Sequence, residues 1–177
     1  MKQLHFINGH RYDAQGATGL EEVSGHKLKV TEWAYAQSLH DRLKTPFRYY
    51  DAYSLNKYVE EEDLATAVAL EFHLNSFNSP TIEGYEVLIL ENDTESLEYA
   101  KIFTYNMFKV FPLRRNRGIK LINPDDRGYN NLLRMKQYFK IAILTEAFFL
   151  NNPEDWINRE DMAKVINNFN KQISDNA

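Results

Sequence analysis

The stretch Ala65 to Ser76, ATAVALEFHLNS, limits what this chain can fold into more than any other segment. Its apolar run stops abruptly at His73, with Asn75 and Ser76 just beyond. Such a run reads as a buried strand that delivers His73 to a sheet edge, and open α/β sheets build their sites where strands end in polar residues. A single histidine at a strand end is more often a hydrogen-bonded structural residue than a ligand. The question is therefore whether the rest of the chain supplies partners.

The bulk properties narrow the answer. A chain of 177 residues is the size of one domain and folds without covalent staples. With no cysteine there is no disulfide, no thiolate-bound zinc and no thiol nucleophile, so any metal must be held by His, Asp or Glu. The opening MKQLHFINGH meets His5 and Asn8 before an apolar leader can develop, and no later run reaches membrane-spanning length. The expectation is a protein made without an export signal and not inserted in a membrane. A net charge of -4 argues against general nucleic-acid binding. The cluster Arg114, Arg115 and Arg117 follows a helix end, where solvated positive charge is favourable against the helix dipole.

Periodicity places the remaining elements. Leu4 to Asn8 reads as a short strand closing on Gly9 and His10, and Arg11 to Val30 as a long irregular excursion of Gly, Ser, Thr and charge. Thr31 caps a helix through Lys44 with Glu32 in its first turn; Pro46 ends it, and Phe47 to Tyr50 is a short strand. A helix with an acidic face is expected from Ser54 to Asp63, then the strand described above, then a strand from Tyr85 to Leu90. Thr94 to Phe111 is a helix with a wide apolar face, Phe108 included, and Gly118 to Ile122 is a strand. Asn130 to Tyr138 is a helix, Phe139 to Phe149 an apolar strand interrupted by Glu146, and Arg159 to Ile173 an amphipathic closing helix. Alternation of this kind predicts one α/β domain over residues 1–177, a three-layer sandwich with a mixed, mostly parallel sheet of about six strands.

The polar residues at the element ends can now be compared: His10, Glu32, His73 and Glu146. Two histidines and a carboxylate form one standard set for a catalytic zinc, with a fourth position left for water. A further carboxylate is then needed to move the proton of that water, and Glu146, in an apolar strand, would have a raised pKa suited to that task. Taken alone, Glu146 reads rather as a salt-bridged core carboxylate. His5 reads as structural, and His26 and His40 as solvent-facing.

The segments FINGHRYDAQGATG, ALEFHLNSF, EGYEVLIL, RRNRGIKLI and LLRMKQYFKIAILTEAFFLNNPEDW occur in this order. Together they resemble the zinc-dependent N-acetylmuramoyl-L-alanine amidases of the amidase-3 family. The likeness is carried by Gly9-His10, Asp13 with Gly16-Ala17, His73-Leu74-Asn75, Gly84 through Val87, Arg117-Gly118, and Glu146 with Phe149 through Asn152. The resemblance implies zinc ligands at His10 and His73, a catalytic Glu146, and a third ligand at the start of the first helix. Glu32 fits that place, with Glu21 and Glu22 as alternatives at a more usual separation. It implies hydrolysis of the amide joining the lactyl group of N-acetylmuramic acid to L-alanine in peptidoglycan, with Asn75 either hydrogen-bonding substrate or capping its strand. Arg11 and Tyr12 stand where the family has glycines, and the family's arginine and asparagine before the middle strand have no clear match in SLNKYVEEED. A monomeric phage or prophage endolysin, held in the cytoplasm until released to the periplasm and cell wall, is the expected setting. A non-catalytic muropeptide binder and a zinc carboxypeptidase-like peptidase are the alternatives.

Overall fold

The computed structural model describes residues 2–49, 55, 66–79 and 81–175. The expected middle strand is there as Ala67–Asn75, buried along its whole length. It lies between Gln3–Asn8 (β1) and Ile141–Phe149, which explains why it is apolar on both faces: covered parallel strands see no water on either side. In chain order the elements are β1, Thr18–Val23 (β2), His26–Thr31 (β3), Glu32–Leu39 (α1), Phe47–Tyr49 (β4), Ala67–Asn75 (β5), Tyr85–Leu90 (β6), Thr94–Val110 (α2), Asn116–Ile122 (β7), Tyr129–Lys136 (α3), Ile141–Phe149 (β8) and Arg159–Asp175 (α4).

The main sheet has the order β4-β1-β5-β8-β6-β7. Every neighbouring pair is parallel except β6 with β8, which run antiparallel. The expected mixed, mostly parallel sheet is thus observed. Side-chain alternation along each strand sorts the core into two layers. Leu4, Phe6, Val68, Leu70, Phe72, Val87 and Ile143 face the layer of α1, α2 and α4. Ile7, Ala67, Ala69, Leu88, Ala142 and Leu144 face Leu132 and Met135 of α3.

Helix α4 shows how the sequence makes this packing. Asn158 accepts the Asp161 N–H at 2.9 Å and so caps the helix, while Glu160 and Asp161 place negative charge in its first turn. Met162, Val165, Ile166, Phe169 and Ile173 then recur at helical spacing and are all buried. Each contributes about 1.5–3 kcal/mol of burial. Thr31 caps α1 as expected, accepting from the Ala34 N–H at 3.2 Å.

Four expectations about the elements need correction or a boundary, and a fifth concerns His40. Residues 11–30 are not an irregular excursion, because β2 and β3 pair into an antiparallel hairpin. Both faces of that hairpin are largely exposed, so it carries little hydrophobic period to read. Helix α1 stops at Leu39 and passes into a 3₁₀ turn, His40–Arg42, rather than continuing to Lys44. On α2, Phe108 is half exposed and does not belong to the packed face. The helix expected from Ser54 to Asp63 lies outside the described residues, Leu55 apart.

His40 was expected to face solvent and is instead buried, its ring edge-on to Phe6 with centroids 5.7 Å apart. Burial, helped by the Arg48 charge, lowers its pKa from 6.5 to about 4. The unfolded chain therefore binds a proton at His40 between those two values and the folded chain does not, so stability falls as pH drops through that window. The prediction is that urea denaturation of wild type and His40→Gln at about pH 7 and about pH 4 will show the variant losing less, by on the order of 1 kcal/mol once solvent screening is allowed for. Equal losses in the two proteins would show that His40 does not carry the acid sensitivity.

Candidate metal centre and active site

The carboxyl ends of β1 and β5 are adjacent, and the side chains of His10 and His73 meet there. His73 Nδ1 lies 3.2 Å from His10 Nε2. Glu32, the first residue of α1, reaches into the same place, with Oε2 at 2.8 Å from His10 Nε2. One ligand atom from each of the three lies within 4.8 Å of the others.

Glu32 is fixed from several directions. Its Oε2 accepts the Ala17 N–H at 2.6 Å and its Oε1 accepts the Leu74 N–H at 2.9 Å. The backbone of the preceding loop in turn closes the helix start: Glu32 N–H donates to Ala17 O and Trp33 N–H to Gln15 O, both at 3.1 Å. Burial alone would raise the Glu32 carboxyl. The His10 hydrogen bond and charge, the His73 charge and the Ala17 N–H together hold it below its ordinary value. For His73, burial favours the neutral ring, but the hydrogen bond and charge of Glu71, with the charges of Glu146 and Glu32, hold its pKa above the ordinary value.

The donor set fits a zinc-like divalent cation. Ligand atoms bound at about 2.0–2.1 Å in a tetrahedron are about 3.4 Å apart, and the two spacings here are 2.8 Å and 3.2 Å. The surroundings are built to the rings. A Cβ on Gly9 would lie 2.1 Å from His73 Nε2, and one on Gly16, at φ +75, would lie 2.0 Å from Glu32 Oε2. Only glycine leaves room for the ligands at either position. Asn8, buried beside them, accepts the His10 N–H on Oδ1 and donates to Trp33 O, both at 3.2 Å.

Glu146 stands beside His73, its register partner on β8. Burial raises its carboxyl to about 7; Glu32 and Glu86 add to this, while His73 and Arg127 oppose it. Its Oε1 is 3.6 Å from Arg127 Nη2, and its buried Oε2 has no hydrogen-bond partner among the described residues. A cleft of about 160 Å³ opens over this group, lined by Gly9, His10, His73, Arg127, Asn131 and Glu146 among others.

The other sequence candidates fall elsewhere. Glu21 pairs with Arg159 and Glu22 is exposed, so neither joins the cluster that Glu32 completes. His26 is exposed, and His5 is buried against Phe47 with its Nδ1 2.8 Å from the Tyr49 hydroxyl. Asn75 donates to Glu86 Oε1 at 3.3 Å and accepts the Ser76 N–H at 2.9 Å, so its amide ties the end of β5 to β6. The arginine cluster is not wholly solvated: Arg114 pairs with buried Asp155, and Arg117 donates to Glu86 Oε2 at 3.0 Å. Tyr12 is exposed and meets Trp33 edge-to-face.

Three residues absent from the sequence reading border the site: Arg127, Glu71 and Asn131. Glu71 lies fully buried against His73, and Asn131 of α3 contacts both. Spacing offered a signal for Glu71, since residues two apart on a strand share a face.

No curated protein matches the chain by sequence. Solved structures do match its fold. An N-acetylmuramoyl-L-alanine amidase from Clostridium difficile 630 aligns over 98% of this chain and 97% of its own, at 22% identity and a TM-score of 0.65. The catalytic domain of CwlV, an amidase from Bacillus (Paenibacillus) polymyxa var. colistinus, aligns over 99% of both at 21% identity and a TM-score of 0.68. The catalytic domain of an endolysin targeting Clostridia difficile aligns over 97% of this chain and 98% of its own, at 22% identity and a TM-score of 0.65. The N-acetylmuramoyl-L-alanine amidase family model matches residues 6–174, and the chain belongs to that family.

Proposed function

We propose that this chain is a zinc-dependent amidase that cleaves peptidoglycan between the lactyl group of N-acetylmuramic acid and the L-alanine of the stem peptide. Family membership supports peptidoglycan amidase activity. The observation that carries the finer reading is the His10, Glu32 and His73 cluster with Glu146 beside it at the floor of a cleft.

His10 Nε2, Glu32 Oε2 and His73 Nδ1 would hold the zinc. When bound, zinc supplies Lewis-acid polarisation of an amide carbonyl and acidification of water. The protein does the rest. Glu146 takes the proton of the attacking water on a carboxylate oxygen and returns it to the departing amine nitrogen. A carboxyl held near neutrality by burial suits both transfers, because neither direction is strongly uphill. Arg127, largely exposed at the cleft rim, offers positive charge to an anionic stem peptide. Asn75, two residues beyond His73 at the end of β5, is the side chain we assign to hydrogen-bonding substrate.

The setting we assign is that of a phage or prophage endolysin, acting on the wall after release from the cytoplasm. An endolysin catalytic domain among the similar folds supports this. No described helix is long and apolar enough to cross a membrane, which is compatible with it.

Purified protein incubated with peptidoglycan is expected to release intact stem peptides from glycan, read by mass analysis of the products. Loss of a terminal amino acid would instead mean a peptidase, and unchanged muropeptides a binder. A chelator should abolish release and added zinc restore it. Glu146→Ala is predicted to keep its zinc while losing roughly 10²–10⁴-fold in rate, and a variant that hydrolyses normally removes Glu146 from the reaction. His73→Ala should lose zinc by elemental analysis. Gly9→Ala and Gly16→Ala should weaken zinc binding because the new methyl displaces His73 or Glu32, whereas Gly25→Ala, with open space around it, should leave binding intact. Inducing the chain in cells with a permeabilised inner membrane should clear the culture; stable turbidity would rule out the lytic role.

A further inference from the structure

Glu71 is a carboxylate buried in the middle of an apolar strand, on the face that carries Ala67 and Ala69 before it and His73 after it. A charge in such a place needs a specific partner. Its Oε1 is 3.3 Å from His73 Nε2, 2.9 Å from Asn131 Nδ2 and 3.5 Å from Arg134 Nη2. Amide and guanidinium nitrogens only donate, so the carboxylate oxygen is the acceptor on which this group converges.

We propose that Glu71 is a positioning residue that keeps the ring proton of His73 on Nε2 and so leaves the Nδ1 lone pair facing His10 and Glu32, where a divalent cation would bind. The inference rests on the zinc reading above and adds to it the group that orients one ligand. In a neutral imidazole one nitrogen carries the proton and the other the lone pair, and the hydrogen bond made by one decides the role of the other. Two neighbours compete at Nε2. The Asn131 amide, 3.4 Å away, would donate to a bare Nε2 and put the proton on Nδ1, facing the site. The same amide nitrogen makes its shorter contact with Glu71, at 2.9 Å, and only its second N–H is left for the longer approach to Nε2, so the amide is the weaker of the two competitors. A bare Nε2 would also set its lone pair against an anionic oxygen. The carboxylate therefore selects the Nε2–H form, and a cation held by His73 finds its donor atom already in place.

The test compares wild type with Glu71→Gln, which keeps shape and one acceptor oxygen without the charge, and Glu71→Ala. Three quantities are read: zinc affinity by competition with a chromogenic chelator, the His73 tautomer by two-bond proton–nitrogen NMR on metal-free protein at about pH 9, above the ordinary histidine range, and the melting temperature of the metal-free forms. Wild type is expected to show the Nε2–H form, with Glu71→Ala shifting toward a mixture and losing roughly 10- to 100-fold in zinc affinity, and Glu71→Gln falling between. If Glu71→Ala does not fold, Glu71→Gln carries the comparison alone. Variants that melt lower but keep the wild-type tautomer and affinity would make Glu71 merely structural and overturn the proposal. If wild type binds no zinc, the zinc reading fails, while the tautomer shift still decides whether Glu71 orients the ring.

Discussion

The Glu32 carboxylate is the contact on which the site depends. One oxygen takes the Ala17 N–H and the other the Leu74 N–H, so a single side chain at the start of α1 joins the loop after β1 to the end of β5. It also touches His10. A buried carboxylate that accepts backbone donors at both oxygens stays ionised where isolation would neutralise it. The His10, Glu32 and His73 cluster is thus part of the packing rather than an addition to a finished fold, and changes to the loop from Gln15 to Ala17 reach it through one carboxylate.

Sheet topology supplies the second half of the chemistry. Strand β8 pairs in parallel with β5 on one side and antiparallel with β6 on the other, so His73, Glu146 and Glu86 stand in one row across three strands. Side chains paired across neighbouring strands share a face. Glu146 is set between His73 and Glu86, whose effects on its carboxyl oppose one another, while burial dominates and raises it to about 7. Glu86 in turn is held by Arg117 and Asn75, so the carboxylate across from Glu146 is itself fixed by polar contacts.

Much of this was legible beforehand because hydrophobic period and strand-end polarity report burial directly. The long, mostly apolar runs of β5 and β8 read as covered strands, and His10, Glu32, His73 and Glu146 stood out as polar residues at or within the elements. What escaped depended on contacts between distant segments. His40 follows a helix in a polar stretch, and nothing local reveals that Phe6 covers it. Glu71 drew no reading from the sequence, because the partners that give it a role, Asn131 and Arg134, come from α3. The β2–β3 hairpin escaped because Leu20 and Leu28 are half exposed, leaving no buried face to give its strands a clear alternation.

That hairpin explains an oddity of spacing. His10 and Glu32 are separated by a longer stretch than the family pattern suggests, yet they are in contact, because the surplus folds outward and returns to its base, with Thr18 paired to Thr31. Glu21 fastens it to Arg159 on α4, away from the ligands. Chain length between His10 and Glu32 is therefore uncoupled from their contact. The turn at Ser24 and Gly25 is, for the same reason, a natural graft point: a peptide inserted there would ride on the fold without passing through the His10, Glu32 and His73 cluster.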